Sequence, residues 1–227
     1  MFKILRLVIT VVSLSMPGTL LASTIEEKQR IVLSVYRAPG AEWAVLEQPF
    51  WKHHVVFRLV KSTDPKFAHR PKVAVDEQGK VDVLTDGVFK VSQGVILESF
   101  NHVAQSEAIQ ITPENIEDYA RFFLKVHLLT YDSYYLVDKA MADKVLRLPQ
   151  HSDEVQHLQV ELEQQGKPHI DITTVDVGFR VAVFVWSSRE SWVRQHDFTI
   201  HPDGTVALEG TKSHRSVEAG STEQRAQ

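Results

Sequence analysis

The chain of 227 residues contains no cysteine. Without thiols it forms neither disulfides nor thiolate nucleophiles, iron–sulfur clusters, covalently attached haem or cysteine-rich zinc sites. The absence also removes the residue that an N-terminal lipid anchor needs. We therefore expect a hydrophobic core that is stable without covalent links.

A basic surplus, long apolar runs and glycine-rich phosphate motifs are also missing. Residues 1–22 hold two of the 25 basic residues and none of the 29 acidic ones, so the rest of the chain has a net charge of −6. Nucleic-acid binding depends on neutralising phosphates, and we expect no nucleic-acid partner. Beyond residue 22, no apolar run reaches the roughly 20 residues of a membrane helix, so we expect no stable membrane insertion. The glycines form neither G-x-G-x-x-G nor a P-loop motif.

The N-terminal segment has the pattern of a secretory signal peptide. Lys3 and Arg6 precede a short apolar run at 7–16, and Ala22 is a small residue suited to cleavage. About ten apolar residues are too few to span a bilayer. We predict that residues 1–22 are removed near Ala22 and that the mature protein is soluble and periplasmic or secreted. The lack of disulfides favours a bacterial periplasm.

Two amphipathic helices are predicted. The first is a short N-terminal helix over 25–37, where Thr24 and Glu27 match the S/T-x-x-E capping box. The second spans about 113–128, begins after a cap at Thr112, and carries an apolar stripe with helical spacing. The stripe consists of Ile116, Tyr119, Ala120, Phe123 and Val126.

Two strand-rich blocks flank the second helix. The first covers 43–100 and includes predicted strands at 88–91 and 95–97. The second covers 132–210, although its segment 139–165 fits either two short helices or a strand. Helices that are segregated from runs of strands indicate an α+β fold with antiparallel sheets.

The composition also suggests where the folded part ends. No linker rich in proline, glycine or serine separates the two strand-rich blocks, so we predict a single domain over 24–210. Residues 211–227 carry one large apolar residue, Val217, among many polar ones. Such a segment buries too little apolar surface to fold, and we predict a disordered tail there.

Two segments resemble a group of uncharacterised bacterial proteins. Their "ED-Y-RFF" helix is matched by TPENIEDYARFF at 112–123, and their terminal "HPDG" hairpin is matched by FTIHPDGTV at 198–206. A tyrosine-rich strand follows the helix in both cases. The resemblance covers about half of the mature chain. It implies no activity, cofactor or partner.

Eleven histidines are the main candidates for chemistry, because imidazole binds metals and carries protons near neutral pH. His53 and His54 are adjacent at the start of a predicted strand, so we expect them to point to opposite faces. His127 lies near the end of the second helix, where the helix dipole favours a protonated ring and Tyr131 or Tyr134 offers a packing partner. No histidine spacing matches a metal motif, and we predict no metal and no cofactor.

A hydrolase is one hypothesis for the function. Its candidate catalytic residues are His196, Asp197 and His201, because histidine and carboxylate groups divide acid–base work between them. Asp171 and Asp176 are further carboxylates that would form such a pair only if they face a partner. Convergence of three or more histidine and carboxylate groups in one cleft would favour this hypothesis.

Aromatic residues give the leading hypothesis, a non-catalytic periplasmic protein that binds a protein partner or a small ligand. Trp43, Phe50 and Trp51 are the candidate binding residues, because large rigid rings contribute most of the energy at interfaces. We expect Phe50 and Trp51 to be exposed, since they precede a strand. A structural part of an envelope assembly is a third hypothesis, which predicts a long exposed edge strand or a large apolar patch.

Overall fold

A computed structural model describes residues 24–37, 40–63, 70–85, 93–127, 134–148, 153–164, 170–189 and 192–215. Within these ranges the chain forms five helices and nine strands, which make up two antiparallel sheets. The predicted α+β fold is therefore confirmed. None of the described helices combines the length and the apolar character needed to cross a membrane.

The N-terminal sheet has four strands that follow one another in chain order. They are β1 (Glu42–Val45), β2 (Val55–Lys61), β3 (Lys72–Val75) and β4 (Val81–Thr85). Neighbouring residues of a strand point to opposite faces. Val56 and Ala74 accordingly join one apolar cluster, while Phe57 and Val73 join another. Both faces of this sheet are apolar, and both are covered.

Helix α1 (Ile25–Tyr36) covers the face that contains Phe57. The predicted capping box is present: the Thr24 hydroxyl accepts a hydrogen bond from Glu27 N at 3.2 Å, and the Glu27 carboxylate accepts one from Thr24 N at 2.8 Å. Val32 on α1 is fully buried in the same cluster. Local capping and the burial of one face together fix this helix against the sheet.

Helix α2 (Gln93–Ser106) lies where a strand is predicted at 95–97, so that prediction is wrong. The β-branched residues at the start of the segment favour a strand locally. Phe100, Val103 and Ala104, however, recur with helical spacing and are fully buried, and the burial of that face determines the structure. The predicted strand at 88–91 lies outside the described residues.

Helix α3 (Ile116–His127) begins three residues later than predicted. Residues 113–115 form turns instead, in which the Asn115 side chain accepts a hydrogen bond from Thr112 N at 2.9 Å. All five residues of the predicted apolar stripe are buried. On the outer side, Arg121 pairs with Glu117 at 2.6 Å, one helical turn away.

The second sheet has five strands: β5 (Tyr134–Val137), β6 (Asp171–Val175), β7 (Gly178–Ser187), β8 (Trp192–Ile200) and β9 (Val206–Arg215). Strand β7 pairs with β8 on one side and with both β5 and β6 on the other. Strands β5 and β6 therefore lie end to end along β7. Strand β9 pairs with β8 and forms the opposite edge.

The segment with two open interpretations, 139–165, is helical where the structure describes it. Helix α4 (Lys139–Val145) begins after an Asp138 cap, and helix α5 (Asp153–Gln164) follows. The two helices bury Val145, Val155 and Leu158 in a cluster with residues of β7 and β8. Burial of this apolar face decides between the two interpretations.

The disordered tail was predicted to start at 211, but β9 continues to Arg215. The prediction therefore places the start of the tail too early. Residues 211–215 have few apolar side chains, yet their backbone pairs with 192–196 of β8. Ladder hydrogen bonds to a well-packed neighbouring strand thus extend the sheet where side-chain burial alone would not. The rest of the predicted tail lies outside the described residues.

One apolar cluster contains residues of both sheets together with residues of α2 and α3. The HPDG turn docks on it through two hydrogen bonds: Tyr119 Oη donates to Gly204 O at 2.7 Å, and Ile111 N donates to Pro202 O at 2.8 Å. The single domain over 24–210 stays a prediction, and this shared cluster is the observation that favours it.

Candidate functional site

A cleft of about 300 Å³ opens where three elements of the N-terminal half meet. They are the connection between β1 and β2, the turn between β3 and β4, and helix α2. We call it the histidine cleft; its lining residues are His53, His54, Asp76, Glu77, Gln78, Lys80, His102 and Ser106.

The β3–β4 turn holds one side of the histidine cleft. The Asp76 carboxylate accepts hydrogen bonds from Gln78 N at 2.9 Å and from Lys80 N at 2.7 Å. Gly79 has a φ of +82°, a conformation that glycine adopts without strain. The Asp76 side chain and Gly79 thereby fix the backbone that presents Glu77 and Lys80.

A buried carboxylate fixes the other side. Glu107 comes directly after α2, and its side chain is fully buried. It accepts hydrogen bonds from Lys52 N at 2.6 Å and from His53 N at 2.9 Å, and it lies 2.6 Å from His54 Nδ1. Because a carboxylate only accepts, the His54 ring carries a proton on Nδ1 and is left with Nε2 for other partners.

The mouth of the histidine cleft is charged and partly exposed. His53 Nδ1 lies 3.2 Å from a Glu77 oxygen, and the two side chains are 58% and 42% exposed. Lys80 Nζ lies 3.2 Å from His102 Nε2 and 3.2 Å from an Asp82 oxygen. An exposed pair such as His53–Glu77 adds little stability. A ligand that binds at the mouth would replace some of these contacts.

His53 and His54 both line the histidine cleft, although their side chains are 58% and 8% exposed. The alternation rule applies within a strand, and these residues lie in the irregular segment before β2 begins at Val55. Glu107, which orients His54, was not among the residues that the sequence singled out. It is 53 positions away, and no local spacing points to it.

Phe50 and Trp51 were expected to be exposed, but the structure buries them wholly or in part. Trp51 is 4% exposed and Trp43 6%, and Phe50 is half-buried with its ring stacked 5.9 Å from that of Phe122. The segment turns inward because Gln48 Oε1 accepts hydrogen bonds from Phe50 N and Trp51 N, both at 2.6 Å. A binding role for the three aromatic residues stays a prediction, but their burial places them in the apolar clusters.

His196, Asp197 and His201 do not form one site. His196 is buried in β8, with Nδ1 3.2 Å from the Thr211 hydroxyl. Asp197 follows it and points to the opposite face. His201 lies beyond the end of β8, about 16 Å further along an extended chain, and its Nδ1 is 3.0 Å from Val177 O.

The other candidate carboxylates do not pair either. Asp171 on β6 and Asp197 on β8 both lie opposite Ala182 of β7, one on each side. Strands separated by another strand are about 10 Å apart, which is too far for two carboxylates to share a proton. Asp176 lies in the turn between β6 and β7.

His127 has a packing role. It is 9% exposed, and its ring stacks on Phe123 with 5.1 Å between the ring centroids. Burial, with smaller contributions from the nearby His196 and Lys72, lowers the pKa of His127 from 6.5 to about 4. The expected preference of the helix dipole for a protonated ring is therefore outweighed by desolvation.

Acid is expected to destabilise the protein through two buried histidines. Burial and Arg194 also lower the pKa of His196 to about 4, against an opposing effect of Asp197. Both rings have lower pKa values in the folded state than in the unfolded one. The contribution of these two histidines to the free energy of unfolding is therefore fully present above pH 6.5. It is lost as pH falls from 6.5 to 4, by on the order of 3 kcal/mol for each histidine.

Urea denaturation at a series of pH values measures this loss. The double variant His127→Phe and His196→Gln should show a much flatter dependence of unfolding free energy on pH between 6.5 and 5. The matched control is His157→Gln, which changes an exposed histidine on α5 and should behave as the wild type does. Equal acid sensitivity in all three proteins would contradict the burial of the two rings as the cause.

The chemistry available in the histidine cleft is proton transfer and hydrogen bonding. Among the described residues, no three histidine, aspartate or glutamate side chains are placed to hold a metal ion. A comparison of the chain with family models, curated proteins and solved structures finds no match. The resemblance to the bacterial group with the HPDG hairpin stays a prediction.

Proposed function

We propose that the protein is exported to the periplasm and binds a small polar ligand in the histidine cleft. The observation that carries this proposal is the convergence of three imidazoles, an ammonium and two carboxylates around about 300 Å³. Small-molecule sites start at about that volume and use a few convergent polar groups to orient the ligand. The signal-peptide pattern of residues 1–22 supports export.

The lining side chains indicate what such a ligand carries. Lys80 offers an ammonium donor, and Glu77 and Asp76 offer carboxylates, while the ring nitrogens of the imidazoles offer donors or acceptors. A polar ligand that accepts hydrogen bonds from Lys80 and the imidazoles fits this set better than an apolar one. The Lys80–His102 and His53–Glu77 pairs would open to bind it.

Two other hypotheses have less support. A hydrolase built on His196, Asp197 and His201 lacks a shared cleft. An envelope-assembly component is favoured by the ten-residue edge strand β9. This strand, however, carries exposed charges at Glu209 and Lys212, and charges on an edge strand oppose pairing with another chain.

Native mass spectrometry of the mature protein, purified without chelator from the envelope fraction of its own host, tests the proposal. We expect a mass above that of the chain cleaved near Ala22. The double variant Lys80→Ala and His102→Ala should lower the bound fraction about tenfold, because each substitution removes one hydrogen bond to the ligand. His157→Ala is the matched control, because this exposed histidine is remote in sequence from the cleft residues.

Two results would overturn parts of this proposal separately. A bare protein, or a ligand retained equally by the double variant, would refute binding in the histidine cleft. A mass that still includes residues 1–22 would refute cleavage of the signal peptide.

A further inference from the structure

We propose that the histidine cleft hydrolyses a carboxylic ester, with His54 as the general base and Glu107 as the residue that positions it. This inference rests on the proposed binding of a small ligand in the same cleft. It adds a reaction and a substrate class to that function. The geometry around Glu107 is the main support for it.

The His54 ring is held in one orientation. Its Nδ1 lies 2.6 Å from a Glu107 oxygen, and its side chain is only 8% exposed. Two backbone N–H groups of the neighbouring connection hold the Glu107 carboxylate in turn. A base that is itself oriented by a third group is the arrangement found in acid–base and nucleophilic catalysis.

A purely structural role explains less of this arrangement. Tying the β1–β2 connection to the end of α2 needs only the two backbone hydrogen bonds to Glu107. The third contact adds to this stabilisation and also fixes the tautomer and orientation of a ring that lines the cleft. Nε2 is the nitrogen that remains to accept a proton from a bound molecule.

The reaction follows from these groups. A water molecule gives a proton to His54 Nε2 while its oxygen attacks the ester carbonyl carbon, and the carbonyl oxygen becomes negative. Lys80, a cation in the cleft lining, stabilises that charge. The carbon–oxygen bond to the alcohol then breaks, and the imidazolium returns its proton to the leaving alkoxide. The products are a carboxylic acid and an alcohol, and the protein is unchanged.

Water is the nucleophile in this scheme, although Ser106 also lines the cleft. The Ser106 hydroxyl donates a hydrogen bond to Val103 O at 2.7 Å, so its proton is directed to the helix backbone and away from a base. The scheme therefore forms no acyl-enzyme. Mass spectrometry during turnover should find no acetyl adduct on the protein.

The test uses p-nitrophenyl acetate as the substrate. We expect the wild type to hydrolyse it faster than an equal concentration of free imidazole. His54→Gln should lower kcat about 100-fold, the usual contribution of a general base. Glu107→Gln should lower kcat about tenfold and leave KM unchanged, because it weakens the orientation of the base and not binding. His157→Gln should retain the wild-type rate, and circular dichroism checks that each variant is folded.

A second probe separates chemistry from binding. The amide 4-nitroacetanilide has nearly the same shape as the ester and is hydrolysed slowly, so its binding is followed by the NMR signals of the His102 ring. Binding to both wild type and His54→Gln, with rapid ester hydrolysis only in the wild type, is the expected result.

Three results would overturn the inference. Amide binding with no difference in ester hydrolysis between wild type and His54→Gln would refute the reaction and leave ligand binding intact. If the protein neither binds the amide nor hydrolyses the ester, this substrate class is refuted. The native mass spectrum tests ligand binding independently. An acetyl adduct on Ser106 during turnover would refute water as the nucleophile.

Discussion

Replacing Glu107 with alanine is expected to lower the free energy of unfolding by about 3–5 kcal/mol. The fully buried carboxylate accepts hydrogen bonds from Lys52 N and His53 N and holds His54 Nδ1 at 2.6 Å. Alanine leaves all three groups without this partner, and the His54 ring among them is buried. Urea denaturation followed by circular dichroism measures the loss.

Two further variants accompany this one. The first removes the charge of Glu107 and keeps a hydrogen-bond acceptor, and the second is a control at an exposed glutamate. Glu107→Gln keeps an oxygen acceptor and should lose clearly less stability than alanine. Glu47→Ala removes an exposed glutamate and should change stability by less than about 0.5 kcal/mol. A Glu107→Ala protein as stable as the Glu47→Ala protein would show that the buried network does not hold the connection to α2.

Gly178→Ala is expected to lower the free energy of unfolding by about 3 kcal/mol or more. Gly178 begins β7 with a φ of +144°, a conformation that side chains rarely adopt. A Cβ atom there would overlap the Ile200 carbonyl oxygen and lie 3.1 Å from His201 Cα. Both obstacles are backbone atoms of the neighbouring strand end, so no side-chain rotation relieves them.

Gly210→Ala is the matched control for this prediction. Gly210 lies in β9 of the same sheet, and a Cβ there meets nothing within 4 Å. We expect its unfolding free energy to stay within about 0.5 kcal/mol of the wild type. Thermal unfolding of both variants measures the two losses of unfolding free energy. Similar losses for the two would contradict the close contact between Gly178 and Ile200.

The elements that the sequence predicts correctly are those in which one local pattern agrees with burial. The stripe of α3 is an example, because its helical spacing and its buried face coincide. The segment 95–97 fails because short β-branched runs favour a strand, while the packing of Phe100 and Val103 further along requires a helix. Strand β9 extends past its apolar residues because its partner strand supplies the pairing.

The candidate site was much harder to predict than the fold. His53 and His54 are visible in the sequence as a pair, but their shared cleft depends on an irregular segment that breaks strand alternation. Glu107 and the β3–β4 turn come from distant positions, and only the topology brings them to His54. The HPDG segment is conspicuous in the sequence, yet its contact with Tyr119 serves packing.

A crystal structure of the mature protein, purified from its own host, would show whether the histidine cleft binds a ligand. We expect electron density for a small molecule between Glu77, Lys80 and His102, within hydrogen-bond distance of their polar atoms. Ligand density elsewhere on the protein, with ordered water alone in the histidine cleft, would contradict it.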